Sequence, residues 1–231
     1  MNTRKNFVIG CAALVLALVA SAPSAWANLI IDPSFEDQSA PFVLPFLGGV
    51  VSPNFTAGFW GAENSTVVTT ENGVTPRCEV QMLRMEDEGN VVTQAFQAVD
   101  VSADSVCIDS GNARVQLSAW LNTMDSGIST PVQGGVTVFF YSCSTCWGNV
   151  VPYISDPINL DINSSTWELS STSGSIPTGT RWLLVQLGFT NSTLLGRPGY
   201  ADCVDLQVDT SGCDSSPAED TTWSQIKALY R

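Results

Sequence analysis

The chain has 231 residues, with 9 Lys+Arg against 22 Asp+Glu, no histidine and a formal net charge of -13. Without imidazole there is no Ser-His-Asp triad, no Cys-His dyad and no histidine metal ligand. So acidic a chain also lacks the clustered Lys and Arg that neutralise nucleic-acid phosphates. An apolar fraction of 44% with only 13% charged residues belongs to a core-forming chain, not a disordered or coiled-coil one.

Arg4 and Lys5 precede an apolar run over residues 7–20, and Ala25-Trp26-Ala27 follows as a small-x-small cleavage pattern. Residues 1–27 are therefore expected to be a signal peptide, too short in its apolar part to span a bilayer. Cys11 sits inside that run with the hydrophobic stretch after it, the wrong order for lipidation. Cleavage removes two basic residues and leaves Lys227 as the remaining lysine, so Schiff-base and P-loop chemistry have no candidate in the body of the protein. No later stretch reads as a membrane helix.

From residue 28 to 209 helical periodicity is almost absent. Short β-branched and aromatic runs alternate with Gly, Pro, Asn, Asp and Ser clusters, which predicts an all-β sandwich or barrel. The clearest strands are predicted at 91–101, 113–123, 135–142, 167–173, 181–190 and 200–208, with weaker ones at 29–31, 65–70 and 80–85. Val115, Leu117, Ala119 and Leu121 share one face of their strand; Gln116, Ser118, Trp120 and Asn122 share the other. In the same way Leu183, Val185, Leu187 and Phe189 alternate with Trp182, Leu184, Gln186 and Gly188. Residues 210–231 read as a Ser/Gly/Pro-rich linker and a short helical tail bearing Trp223, Ile226, Leu229 and Tyr230 on one face. The tail either docks on the sandwich or serves as a sorting or anchoring element.

Six cysteines remain after the leader, an even number that predicts disulfides in an exported protein. The favoured pairs are Cys143–Cys146 and Cys203–Cys213, which leaves Cys78–Cys107. A redox-active C-x-x-C needs a helix N-terminus, and Cys143 follows a strand signal instead, so a turn staple is the better reading. Sequons at Asn54, Asn64, Asn163 and Asn191 mark Ser/Thr/Asn-rich surface loops.

Several fragments together resemble the galactose-binding-like jelly-roll modules of secreted, mostly bacterial proteins, among them many carbohydrate-binding modules. Asn28-Leu29-Ile30-Ile31-Asp32-Pro33-Ser34-Phe35-Glu36 resembles their opening motif, and Gly58-Phe59-Trp60 the element that follows it. Gln81-Met82-Leu83-Arg84-Met85, Ile108-Asp109-Ser110-Gly111, Leu117-Ser118-Ala119-Trp120, Ile176-Pro177-Thr178-Gly179-Thr180-Arg181 and Gly199-Tyr200-Ala201-Asp202 continue the likeness in order. It covers nearly the whole region from 28 to 208. The resemblance implies a jelly-roll β-sandwich and a glycan partner. It also implies a structural calcium between the first and last strands, held by Glu36 and Asp202; the sequence places no third carboxylate there, and Asp32, Glu71 and Glu79 are the candidates for one. The alternative role for Glu36 and Asp202 is hydrogen bonding to loop backbone.

A sugar needs an aromatic face bordered by amides and carboxylates. Trp120 with Gln116 and Asn122, and Trp182 with Gln186, are the candidates to supply these on one sheet face, and Trp60, Trp147 and Tyr153 at the rim; ordinary burial is the alternative for each tryptophan, and Trp60 in particular resembles a packing residue. No G-x-S-x-G or phosphate loop occurs, and the acidic run Glu86-Asp87-Glu88 reads as a solvated turn. The expectation is an exported, non-enzymatic binding module. The alternatives are a structural or adhesive envelope protein with an attachment tail and a carboxylate-only glycosidase.

Overall fold

The structure, a computed structural model, describes residues 27–37, 42–43, 58–62, 65–86, 92–124, 127, 130–144, 146, 151–192 and 197–213. The expected leader, the terminal helical tail and Trp147 lie outside these residues, apart from Ala27. Among the described residues the strands are β1 (Phe42–Val43), β2 (Gly61–Ala62), β3 (Ser65–Val68), β4 (Met82–Met85), β5 (Val92–Asp100) and β6 (Arg114–Thr123). They continue with β7 (Gln133–Tyr141), β8 (Tyr153–Asn159), β9 (Glu168–Ser175), β10 (Trp182–Thr190) and β11 (Gly199–Asp209). A single-turn helix, α1 (Ser105–Asp109), precedes β6.

The strands form a six-stranded sheet in the order β1-β2-β5-β10-β7-β8 and a five-stranded sheet in the order β3-β4-β11-β6-β9. Every pairing is antiparallel except β1 with β2. The two sheets stack as an all-β jelly-roll sandwich. Period-two alternation builds the interior: Val115, Leu117, Ala119 and Leu121 of β6 face Leu183, Val185, Leu187 and Phe189 of β10 within one buried cluster. Each of the Val, Leu and Phe side chains among them contributes about 1.5–3 kcal/mol on removal from water.

Four elements depart from the sequence expectation: the predicted strand at 29–31 is missing, and β1, β2 and β8 lie outside the predicted ranges. Residues 29–31 form no strand. Instead the Asn28 side chain imitates a peptide group, donating to the Val204 carbonyl and accepting from the Ile30 and Leu206 amides. The buried Gln97 amide does the same for Ile31, donating to its carbonyl and accepting from its N–H, each at 2.8 Å. β8 was not expected, because Pro157 interrupts its run. It is an edge strand, where a missing N–H costs no ladder bond, and Ile154 and Ile158 pack against the core. Its partner Gly135 is pressed against the Asp156 carbonyl and Pro157, which a Cβ would meet at 3.0 Å.

The disulfide pairing corrects the expectation. The bonds are Cys78–Cys203, Cys107–Cys213 and Cys143–Cys146. Only the last agrees. Cys203 and Cys213 are close in sequence, but β11 lies between them. At ~3.3 Å per residue it carries the chain ~20 Å from Cys203 to Asp209 alone, far beyond the reach of a disulfide. Cys203 instead meets the loop that leads into β4, the neighbour of β11. Cys213 meets α1, which leads into β6, because Asp209 pairs with Arg114 at that end.

Candidate functional site

The outer face of the five-stranded sheet carries the most elaborated polar surface. β6 sends Gln116, Ser118, Trp120 and Asn122 outward, as its alternation predicts. The half-buried Trp120 is not an open platform: the Arg77 guanidinium lies 4.1 Å from its ring centroid. Asn122 is buried and occupied, donating to the Ser164 carbonyl at 3.0 Å and accepting from the Thr123 amide at 2.7 Å. Gln116 is exposed and sits level with Gln207 and Ser173 of the flanking strands. Of these three residues, then, Trp120 supports an arginine, Asn122 ties down the 164–167 turn, and Gln116 is the exposed one.

Beside Arg77 opens a groove of about 300 Å³ lined by Thr75, Pro76, Arg77, Ser164, Ser165 and Trp167. Trp167 is half-buried. Its indole donates to the Thr75 carbonyl at 2.9 Å, and it packs against the cluster of Val74, Met82 and Tyr200. That bond joins the two loops that form the groove walls. Gly73 also lines the groove at a φ of +80°, and a side chain there would meet the Ser164 hydroxyl at 3.0 Å.

Arg77 owes its position to Asp202. β11 has a bulge between Asp202 and Asp205, with Cys203 at a φ of +52°, so Ala201 and Val204 both face inward while Asp202 is fully buried. Asp202 Oδ2 accepts from the Arg77 and Cys78 amides at 2.7 and 2.8 Å, and Oδ1 from the Cys203 amide at 2.7 Å. Burial pushes this carboxyl up to about 6, against the pull of those three N–H groups and with a further push from Glu36. Glu36 Oε1 accepts from the Val80 and Gln81 amides at 2.8 and 2.6 Å. The two carboxylates therefore clamp both ends of the 77–81 segment.

The same geometry tests the calcium expectation. Calcium takes about six to eight oxygens, whereas here amide N–H groups point at both Asp202 oxygens and at Glu36 Oε1. The ligand-type atoms nearest Asp202 are the sulfurs of Cys78 and Cys203, which are joined to each other. Asp32 accepts from the Asp37 amide, and Glu71 is engaged by Arg84 and the Tyr200 hydroxyl. Glu79 is exposed. As placed, these residues do not fit a calcium ion.

Trp182 and Gln186 lie on the outer face of the other sheet, so the structure does not bring them to the Trp120 face. This separation corrects the expectation of a single aromatic face. Trp182 packs against the buried cluster of Phe96, Ala98, Tyr141 and Leu184, and the Gln186 amide donates to Gln94 Oε1. Trp60 is fully buried, donating to the Asp32 carbonyl and packing on Phe35. Tyr153 is 61% exposed and stacks against Phe139.

The groove residues Arg77, Trp167, Ser164 and Ser165 escaped the sequence reading. Trp167 was visible as a tryptophan at the head of a strand, in the polar run Ser164-Ser165-Thr166, but no sequence signal brings it beside Arg77, ninety positions away.

No protein-family model matches the chain, and no curated protein matches it. Solved structures match the chain at low identity. The TmCBM61 module, solved in complex with β-1,4-galactotriose, matches with a TM-score of 0.46 and 13% identity over 79% of this chain and 99% of its own. The CBM22-1 xylan-binding domain from Paenibacillus barcinonensis matches with a TM-score of 0.44 and 15% identity, over 68% of this chain and 89% of its own. A cyclase from Fischerella sp. TAU matches with a TM-score of 0.49 and 14% identity, over 80% and 98%. At these scores none of them places a ligand on this chain.

Proposed function

We propose that this chain is an exported, non-catalytic carbohydrate-binding module whose ligand occupies the groove between the 75–78 loop and the 164–167 turn. The observation that carries this reading is the grouping of an indole wall, three hydroxyl side chains and a guanidinium around one open groove. These are the partners that a sugar ring and its hydroxyls require. The walls are fixed before any ligand arrives, by the Trp167 indole bond, the Asn122 amide and the Asp202 clamp, which lowers the ordering cost of binding. Export is supported by the leader pattern and by three disulfides. The lining residues include no carboxylate, so the groove lacks the acid and base that glycoside hydrolysis needs.

A glycan array followed by calorimetry tests the reading. Wild type is expected to retain a defined set of glycans, and Trp167→Ala to weaken them about tenfold, the scale of one lost aromatic contact. Trp182→Ala, on the opposite face, is expected to leave affinity unchanged. A wild-type protein that retains no glycan at all sinks the proposal.

A further inference from the structure

We infer that the groove selects a sugar carrying a carboxylate, a uronic-acid residue, and that Arg77 is the group that recognises it. This inference rests on the carbohydrate-binding reading above and narrows it to a ligand class.

The first argument is the arrangement of charge. In a chain with 22 acidic and 9 basic residues, cations have carboxylates to spare. Arg84 is paired with Glu71 at 3.0 Å and with Glu86; Arg181 is paired with Asp109 at 2.6 Å. Arg197 is buried and donates to the Thr130 carbonyl, and Arg114 lies opposite Asp209 where β6 meets β11. Arg77 makes no ion pair among the described residues, and the groove it lines contains no acidic side chain. The groove thus presents one cation and no carboxylate among its described lining residues.

The second argument is preorganisation. The Arg77 backbone is held by Asp202, the next residue is bonded to Cys203, and the guanidinium rests on the Trp120 ring. A guanidinium held over an aromatic ring keeps its N–H groups available to an anion. A planar fork of donors matches the two oxygens of a carboxylate, with little side-chain entropy left to lose. Thr75, Ser164 and Ser165 then meet hydroxyls, while Trp167 covers the apolar side of the ring. Remote acidic residues do not oppose this contact strongly, since the Debye length at physiological ionic strength is ~8 Å.

The test uses the full exported protein and pairs of oligosaccharides that differ only in charge. Oligogalacturonate, oligoglucuronate and oligomannuronate are titrated by calorimetry beside their methyl esters and beside neutral galactan and xylan oligosaccharides. The expected result is binding of at least one uronate, weakened about tenfold or more by esterification, the scale of a lost charge-assisted bond. Arg77→Gln is expected to weaken the acid about tenfold or more, to about the level of its ester, and to weaken the ester far less. The ester comparison needs no variant, so it stands even if Arg77→Gln folds poorly. Neutral oligosaccharides or esters bound as tightly as the acids would overturn the uronate assignment and leave the module reading intact. Sulfated oligosaccharides preferred over carboxylated ones would overturn it as well. Binding to none of these, or to any other glycan, removes the proposed function itself.

Discussion

On the five-stranded sheet Trp120 points outward beneath a guanidinium, next to a groove walled by hydroxyls. On the six-stranded sheet Trp182 also points outward, yet it packs into an apolar cluster with Phe96, Ala98, Tyr141 and Leu184. In sequence the two tryptophans occupy the same kind of position, each in an alternating strand with a glutamine on the same face. The difference comes from their neighbours in the sheet. β6 lies among polar strands and loops stapled to β11, whereas β10 lies between β5 and β7, which bring aromatic side chains to their outer face. What an outward-facing residue meets is thus set by the adjoining strands and loops.

The largest expected effect separates the two sides by their staples. In the chain-entropy model, Cys78–Cys203 closes a loop with a sequence separation of 125, while Cys143–Cys146 closes one of 3. Replacing both Cys78 and Cys203 with Ser is expected to cost about 5 kcal/mol, against about 2 kcal/mol for the Cys143–Cys146 pair. Denaturant titration measures both. Equal losses would show that the groove side is not the more strongly constrained one.

Next comes the apolar outer face. Leu184 has no exposed surface although it points away from the central core. Leu184→Ala is expected to cost about 2–5 kcal/mol, whereas Gln116→Ala, outward on the other sheet, is expected to stay within about 0.5 kcal/mol. A Leu184→Ala cost no larger than that of Gln116→Ala would mean that the two faces are alike.

Acidity gives a smaller effect, confined to the groove side. The folded protein holds the Asp202 proton up to about pH 6, whereas the same carboxyl ordinarily titrates near 3.8. Folding therefore takes up a proton between these values, and stability from this group falls as pH rises through that window. Relative to Asp202→Asn, wild type is expected to gain about 1 kcal/mol between pH 7 and pH 5. Paired denaturant titrations at the two pH values measure it, and a gain on alkalinisation instead would reverse the argument. The smallest expected effect is that of calcium. Because amides already meet both Asp202 oxygens and Glu36 Oε1, millimolar calcium or a chelator should leave the melting temperature unchanged. A stabilisation of several degrees by calcium would mean that the clamp rearranges around an ion.

The strands were legible because a half-buried strand writes its environment into every second residue, as β6 and β10 do. β8 was not, because Pro157 argues against a strand unless the strand is known to lie at an edge. The clamp was half legible. Glu36 and Asp202 were singled out as a pair joining the two ends of the domain, but the loop amides they hold could not be read from side-chain identities. The groove was not legible at all, since Arg77 and Trp167 are distant in sequence and neither has a local signature.

By itself the sequence determined the fold class, the inward faces of its strands and an even set of cysteines, because alternation and composition act locally along the chain. Tertiary structure alone decided which cysteines pair, what covers each outward tryptophan and where a cation meets an aromatic wall. Those outcomes depend on which strands become neighbours, and many of those pairings join residues far apart along the chain, such as Leu83 with Ala201 and Asp100 with Trp182.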